Sequence, residues 1–234
     1  MYTLEWHHPN FTPDSSDFCI EEQYSIRADM YNVIGVPHSQ WNGAYTYPLG
    51  GAGGGNWEAM YPDFLQLYET YIVNQTPYSI AISGAYEPGN TEITYDVELL
   101  IDSGIDTTVN NTNMHVELFI SEDSIMSYWS TIDTWEYARN VARKYITRSA
   151  NNKLPISITS AGESETFSGT FTLSDAWEPD QVYIQAVVQN LDTYEIFQAT
   201  SWNINNLDPD PDKEADPNPD PDPDPDPDPD PDPD

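Results

Sequence analysis

Apolar and polar residues alternate along most of the chain after residue 76. Apolar or small side chains fall at every second position of 93–101, 114–120, 167–173 and 182–188, and turn-forming sequences such as Glu87-Pro88-Gly89-Asn90 separate the runs. A period of two is that of a strand with one buried face. The pattern predicts an antiparallel, Ig- or fibronectin-like β-sandwich over residues 76–207. Residues 127–153 lack the alternation, and we expect an irregular or partly helical insertion there.

Residues 1–75 have a different pattern. Acidic residues at Glu21-Glu22 precede a rough helical face that continues to about Val33, and apolar residues recur at helical spacing between 57 and 72. Residues 1–6 are a short strand candidate, Asn42-Gly43 is a strong turn signal, and the glycines of 50–55 predict a flexible loop. The fold class is therefore predicted to be α+β, with an α/β segment before the sandwich.

The last 27 residues, 208–234, are an acidic Asp-Pro repeat. Proline fixes its own φ and restricts the residue before it, so this segment is predicted to be an extended, polyproline-like tail. At about 3.1 Å per residue it would reach roughly 80 Å. The tail holds 13 acidic residues and one lysine, so it carries −12 of the net charge of −33, and the first 207 residues carry the remaining −21.

Charge and composition exclude several classes of function. Phosphate binding needs a basic surface, so a chain with 40 acidic and seven basic residues is not expected to bind nucleic acid. The single cysteine, Cys19, excludes a dithiol centre and an intrachain disulfide. No apolar run approaches the ~20 residues of a transmembrane helix. Abundant Asn, Ser, Thr and Tyr with little lysine is a composition typical of secreted or surface-exposed bacterial proteins.

The histidines and paired acids give no defined site. His7 and His8 are adjacent, and neighbouring side chains of a strand point to opposite faces, so they are a poor metal pair even with His38 nearby. Pairs such as Glu122-Asp123 arise by chance in so acidic a chain, and the tail lacks a calcium-binding loop pattern. We therefore predict no catalytic residue, no metal site and no cofactor.

A series of short motifs resembles the Omp28-related, thioredoxin-like secreted proteins of Bacteroidetes-type bacteria. The matching pieces are Glu5-Trp6-His7-His8, Arg27-Ala28-Asp29-Met30-Tyr31, Val33-Ile34-Gly35-Val36-Pro37, Trp41-Asn42-Gly43, Met60-Tyr61 to Tyr68-Glu69, Leu118 to Asp123 and Val187 to Asn190. The resemblance implies a partial thioredoxin-like segment over 1–75 and makes Pro37 the cis-proline of that fold. It also places the family's cysteine pair before Met1, so redox activity is not implied for this chain.

Two sets of residues are candidates for modification or docking. Sequons at Asn10, Asn74 and Asn110, and Asp-Ser/Thr sequences at Thr107 and Ser124, are candidate glycosylation sites. Five of the seven basic residues lie close together: Arg139, Arg143, Lys144, Arg148 and Lys153. They are either a solvated basic stretch or a socket for the acidic tail of another copy, a head-to-tail contact that would propagate into a fibre.

The sequence thus favours a non-catalytic, secreted or cell-surface structural protein, a self-assembling subunit of a glycosylated extracellular fibre. Tryptophans would supply the contacts between copies, with Trp41, Trp57, Trp129, Trp135 and Trp177 as candidates. One alternative is a thioredoxin-family redox protein whose catalytic half is missing here. Another is a surface carbohydrate-binding or adhesion module, in which Trp and Tyr stack on sugars.

Overall fold

The computed structural model describes residues 2–7, 21–36, 38–47, 57–104, 108–129 and 133–205. These ranges contain two α-helices, α1 (Glu21–Met30) and α2 (Tyr61–Ile72), and short 3-10 turns at Trp57–Ala59, Ala150–Asn152 and Pro179–Gln181. The strands are β1 (Ser39–Trp41), β2 (Tyr45–Tyr47), β3 (Tyr78–Ala85), β4 (Glu92–Ile101), β5 (Met114–Glu122), β6 (Ile125–Trp129), β7 (Thr134–Ala138), β8 (Val141–Tyr145), β9 (Leu154–Pro155), β10 (Ser164–Thr172), β11 (Val182–Asn190) and β12 (Ile196–Asn203).

Two antiparallel sheets form a sandwich. One has three strands in the order β10-β4-β3; the other has the order β12-β11-β5-β8, with β9 also paired to β5. Their facing sides share one core, in which Val97, Leu99, Leu118 and Ile184 have no exposed surface. Along β4 the burial alternates residue by residue, as the sequence pattern requires. The predicted β-rich α+β class and antiparallel sandwich are confirmed.

The five-stranded sheet is partly covered on its other face as well. Residues 2–7 run beside β8, where Glu5 pairs with Val141 in a parallel bridge. Trp6 then packs edge-on against Phe119 of β5 and Tyr145 of β8, at ring-centroid distances of 6.0 and 6.3 Å. The N-terminal segment therefore covers sheet surface that would otherwise face water.

The prediction of an irregular or partly helical insertion at 127–153 is wrong. Its described residues, 127–129 and 133–153, contain most of β6, all of β7 and β8, and one short 3-10 turn. The sequence of β8 does not alternate between apolar and polar residues, because charged Arg143 is buried on the same face as Val141 and Tyr145. Strand β12, which the alternation did not indicate, is similarly rich in polar residues.

The predicted features of residues 1–75 are found in part. Both helices are present, and Asn42 and Gly43 turn between β1 and β2 with φ of 44° and 70°. The strand candidate at 1–6 is only the single bridge at Glu5. The thioredoxin-like arrangement and the domain boundaries at 75 and 207 stay predictions, and Pro37 and the tail at 208–234 lie outside the described residues. Neither α1 nor α2 has the length and apolar content of a membrane-crossing helix.

Gly43 provides a test of how the β1–β2 turn docks on the sandwich. A Cβ at Gly43 would lie 1.8 Å from the backbone oxygen of Tyr194, whereas a Cβ at Gly89, which also has positive φ, would meet nothing within 4 Å. We expect Gly43→Ala to lower the free energy of unfolding by about 3 kcal/mol or more and Gly89→Ala by about 1–2 kcal/mol. Denaturant unfolding of both variants measures the difference. Equal losses would contradict the close approach.

Candidate functional site

A buried carboxylate is the centre of the covered sheet face. Glu117 of β5 has no exposed surface. It accepts hydrogen bonds from the Thr147 hydroxyl at 2.7 Å, from the Tyr145 hydroxyl, and from Lys153 Nζ at 2.6 Å. Lys153 Nζ also donates to the Tyr145 oxygen at 3.1 Å. Both carboxylate oxygens therefore have donors, and the nearest cation balances the charge of Glu117.

Arg27 of α1 closes this cluster from the side of the helix. Its guanidinium carbon lies 5.1 Å from the ring centre of Phe119 and 5.5 Å from that of Tyr145, and these two rings stack on each other at 4.8 Å. Arg27 also donates to the Tyr31 hydroxyl at 2.7 Å and to Gln189 Oε1 at 3.3 Å. Cation–π contacts of this kind are strongest when the cation is shielded from water, as Arg27 is here. We call Arg27, Glu117, Tyr145, Thr147 and Lys153 the buried network.

Burial raises the pKa of Tyr145 well above its usual value of 10, and the negative charge of Glu117 raises it further, although Arg27 opposes the shift. The phenol therefore stays protonated and acts as a hydrogen-bond donor to the carboxylate. Arg27 of α1 and Trp6 both pack against Phe119 of β5 and Tyr145 of β8. The buried network is thus a structural element that joins the N-terminal segment to the sandwich.

Two further ion pairs involve the basic residues predicted to form a socket. Arg143 binds Glu122 at 2.6 Å, and both side chains are only 4% exposed. Arg139 binds Asp123 with two hydrogen bonds of 2.7 and 2.8 Å. Desolvation raises the pKa of Asp123, but hydrogen bonds from Arg139, Asn140 and Ser124 outweigh it, so the net shift is downward.

Arg139, Arg143 and Lys153 of the predicted socket each form an ion pair with a carboxylate of the same chain. Lys144 is half-buried on β8, and Arg148 is half-buried just after Thr147. Docking of the acidic tail stays a prediction, because the tail lies outside the described residues. This prediction is weakened because Arg139, Arg143 and Lys153 already pair with carboxylates of the same chain.

The histidines are dispersed in the described part of the chain. His7 lies 3.5 Å from Glu5, and its ring is tilted against that of Trp129 at 5.9 Å. His38 contacts Gln40, and His115 contacts the Asn113 carbonyl. Among the described residues, no three His, Cys, Asp or Glu side chains lie together as a metal site would require. His8 and Cys19 lie outside those residues.

Three of the five candidate glycosylation residues are described. Asn74, just after α2, and Asn110 are exposed, and Asn110 Oδ1 accepts a hydrogen bond from the Thr112 amide at 3.0 Å. Ser124 is half-buried in the turn between β5 and β6, and its hydroxyl donates to Asp123 at 3.2 Å. Asn10 and Thr107 lie outside the described residues. Glycosylation at all five stays a prediction.

The β6–β7 ribbon presents an exposed aromatic surface. Pairing of Met126 with Tyr137 and of Tyr128 with Trp135 puts these four side chains on one side of the ribbon. They are 45%, 56%, 36% and 64% exposed, respectively, and the rings of Tyr128 and Trp135 lie 5.7 Å apart. We call these four residues the aromatic face.

The opposite side of the ribbon packs inward. Ile125 and Trp129 lie against a small core of Ala138 and Val141. Of the five predicted contact tryptophans, Trp135 is exposed, Trp41, Trp129 and Trp177 are half-buried, and the side chain of Trp57 lies outside the described ones. The sequence shows large apolar residues at 126 and 128 and at 135 and 137. Only the pairing of β6 with β7 shows that they form one surface.

Comparison with known proteins gives a distant structural similarity. No family model and no curated protein matches the chain. A solved domain of the outer membrane lipoprotein Omp28 from Porphyromonas gingivalis has a TM-score of 0.39 and 16% sequence identity, and the match covers 57% of this chain and 92% of that domain. This likeness is too distant to assign a family or a function to the chain.

The Glu117–Lys153 pair yields a stability prediction. Replacing Lys153 by Met leaves a fully buried carboxylate without its cation, so we expect a loss of about 3–5 kcal/mol in the free energy of unfolding. Lys144→Met is the matched control, with an expected change within about 0.5 kcal/mol. Guanidinium unfolding at pH 7 measures both. Similar losses in the two variants would show that the Glu117–Lys153 pair has no special weight.

The raised pKa of Tyr145 yields a pH prediction. Its protonated form is favoured by folding, so its contribution to stability is full below pH 10 and is lost as the pH rises above 10. Tyr145→Phe should be less stable than wild type at pH 8, because it lacks the hydroxyl, yet lose less stability between pH 8 and pH 11. Urea unfolding across that range gives the two curves. Parallel curves would mean that Tyr145 does not titrate as described.

Proposed function

We propose that the chain is a non-catalytic structural protein of the cell surface or extracellular space that assembles with further copies of itself through the aromatic face. The observation that carries this proposal is the exposure of four large apolar side chains on one side of a two-stranded ribbon. Large contiguous apolar patches on a protein surface often mark interaction sites, whereas scattered single apolar residues do not. Tyr, Trp and Met are also the side chains enriched in the cores of protein interfaces.

Electrostatics favour the same surface as the contact between copies. The first 207 residues carry −21, so two bodies repel each other at low ionic strength. The four side chains of the aromatic face carry no charge. Contact there lets two acidic bodies approach with the least repulsion, and added salt, which screens the remaining charge, should strengthen assembly.

A structural rather than catalytic role is supported by the use of the buried charges. Glu117 and Glu122 each pair with a cation and accept further hydrogen bonds, so both carboxylates stabilise the fold. The surface location is supported by the composition described above. An Omp28-related origin with a partial thioredoxin-like segment is part of the proposal and is supported by the motif series from Glu5-Trp6 to Val187–Asn190.

Glycosylation is a further part of the proposal. Asn74 and Asn110 are exposed in the described structure, which a modifying enzyme requires. The intact mass of the chain from its natural host should exceed 26.5 kDa. A mass equal to the calculated value would remove glycosylation from the proposal.

The assembly proposal is tested with a pair of variants on the same strand. Wild-type protein should form oligomers or filaments that grow with salt, seen by sedimentation velocity and electron microscopy. Trp135→Thr with Tyr137→Thr should be monomeric, whereas Glu136→Thr, on the opposite side of β7, should assemble as wild type. Threonine keeps the strand propensity at each site.

Two outcomes would contradict the proposal. One is a wild-type monomer at every protein and salt concentration, and the other is undiminished assembly of the Trp135/Tyr137 variant. A chain lacking residues 208–234 separates this contact from tail docking. Assembly through the aromatic face should survive the deletion, whereas assembly that requires the tail would not.

A further inference from the structure

A polar groove of about 440 Å³ lies on the part of the five-stranded sheet that α1 and Trp6 leave uncovered. Its floor is formed by two cross-strand pairs of β11 and β12, Tyr183 with Asn203 and Gln185 with Ser201. The N-terminal residues Tyr2 and Thr3 and the turns at Asp123 and Asn140 border it. The volume is within the range of about 300–1,000 Å³ usual for small-molecule sites.

Hydrogen bonds within the protein hold the amide side chains of Gln185 and Asn203 in place. Gln185 Nε2 donates to the Thr3 carbonyl at 3.1 Å and to Ser121 Oγ at 2.9 Å. Asn203 donates to the Asp180 carbonyl at 2.8 Å and accepts from the Asn205 amide at 2.9 Å. Such contacts fix the orientation of a side chain before a ligand arrives, which lowers the entropy cost of binding.

Other polar atoms of the groove make no hydrogen bond among the described residues, although the charge of Arg139 interacts with the Tyr183 phenol. These are Gln185 Oε1, the Tyr183 hydroxyl and the Ser201 hydroxyl. Gln185 is only 6% exposed, so its carbonyl oxygen is an acceptor on a nearly buried side chain with a hydrogen bond left to make. This oxygen lines the groove and is available to accept a hydrogen bond from a ligand hydroxyl.

The charge of the groove indicates which ligands it suits. Its carboxylate, Asp123, is neutralised by the two hydrogen bonds from Arg139. The chain as a whole repels anions. Amide and hydroxyl groups beside an exposed tyrosine ring match a ligand that combines many hydroxyls with an apolar ring face. Tyr2, 54% exposed, supplies such a ring at the border.

We propose that this groove binds a neutral saccharide, with Gln185 and the Tyr183 hydroxyl as its hydrogen-bonding centre and Tyr2 as the ring that packs on the sugar. The site is separate from the aromatic face, because its floor is on β11 and β12 whereas the aromatic face is on β6 and β7. The inference therefore goes beyond the assembly proposal and does not depend on it. It gives a surface protein a means of attachment to glycans.

The test is titration of the full chain with a panel of neutral hexose, deoxyhexose and N-acetylhexosamine oligosaccharides, alongside sialylated and sulfated versions. At least one neutral member should bind at micromolar to millimolar concentration. Tyr183→Phe removes one hydroxyl and should weaken binding roughly five- to tenfold, the effect of one hydrogen bond. Tyr86→Phe, a half-buried tyrosine away from the groove, should bind as wild type.

Circular dichroism and unfolding curves of Tyr183→Phe confirm that it is folded before its affinity is compared. The Trp135/Tyr137 variant should retain saccharide binding, so failure of assembly and failure of binding are distinguishable. Three results would overturn the inference. No neutral saccharide binds at millimolar concentration, the anionic versions bind more tightly than the neutral ones, or Tyr183→Phe binds as tightly as wild type and the Tyr86→Phe control.

Discussion

The carboxylate of Glu117 has no access to water, and an isolated charge in such a place would prevent folding. Its neutralisation by Lys153 and its hydrogen bonds from Tyr145 and Thr147 are therefore a condition for burying this face of the five-stranded sheet. Arg27 completes the cover by lying over Phe119 and Tyr145. Residues far apart in sequence thus meet on one sheet, and the N-terminal segment and the sandwich are stabilised by the same contacts.

This constraint also shapes the surface. Because the N-terminal segment covers only part of the sheet, the remainder of that face, at Tyr183 and Gln185, is open as a polar groove. The first 207 residues carry −21, because their acidic residues far outnumber their basic ones. A strongly negative body favours uncharged surfaces for contact with other molecules, which the aromatic face and the polar groove both provide.

The sequence was sufficient to predict the strands that have one buried and one solvent-exposed face. In β4 the inward residues, such as Val97 and Leu99, alternate with exposed ones as predicted. It was not sufficient where charge is buried, because Glu117 and Arg143 resemble solvent-exposed residues until their partners are known. The insertion at 127–153 was misassigned for this reason. The groove was also beyond sequence reasoning, because its floor and borders come from segments that only the fold brings together.

Arg27 and the other residues of the buried network hold residues 2–7 and α1 against the five-stranded sheet. Amide hydrogen exchange of wild type and Arg27→Met tests this role directly, because methionine keeps the apolar volume but removes the cation. We expect a loss of protection in residues 2–7 and in β8, with β3 and β4 unchanged. Unchanged protection of β8 and residues 2–7 in the variant would contradict it.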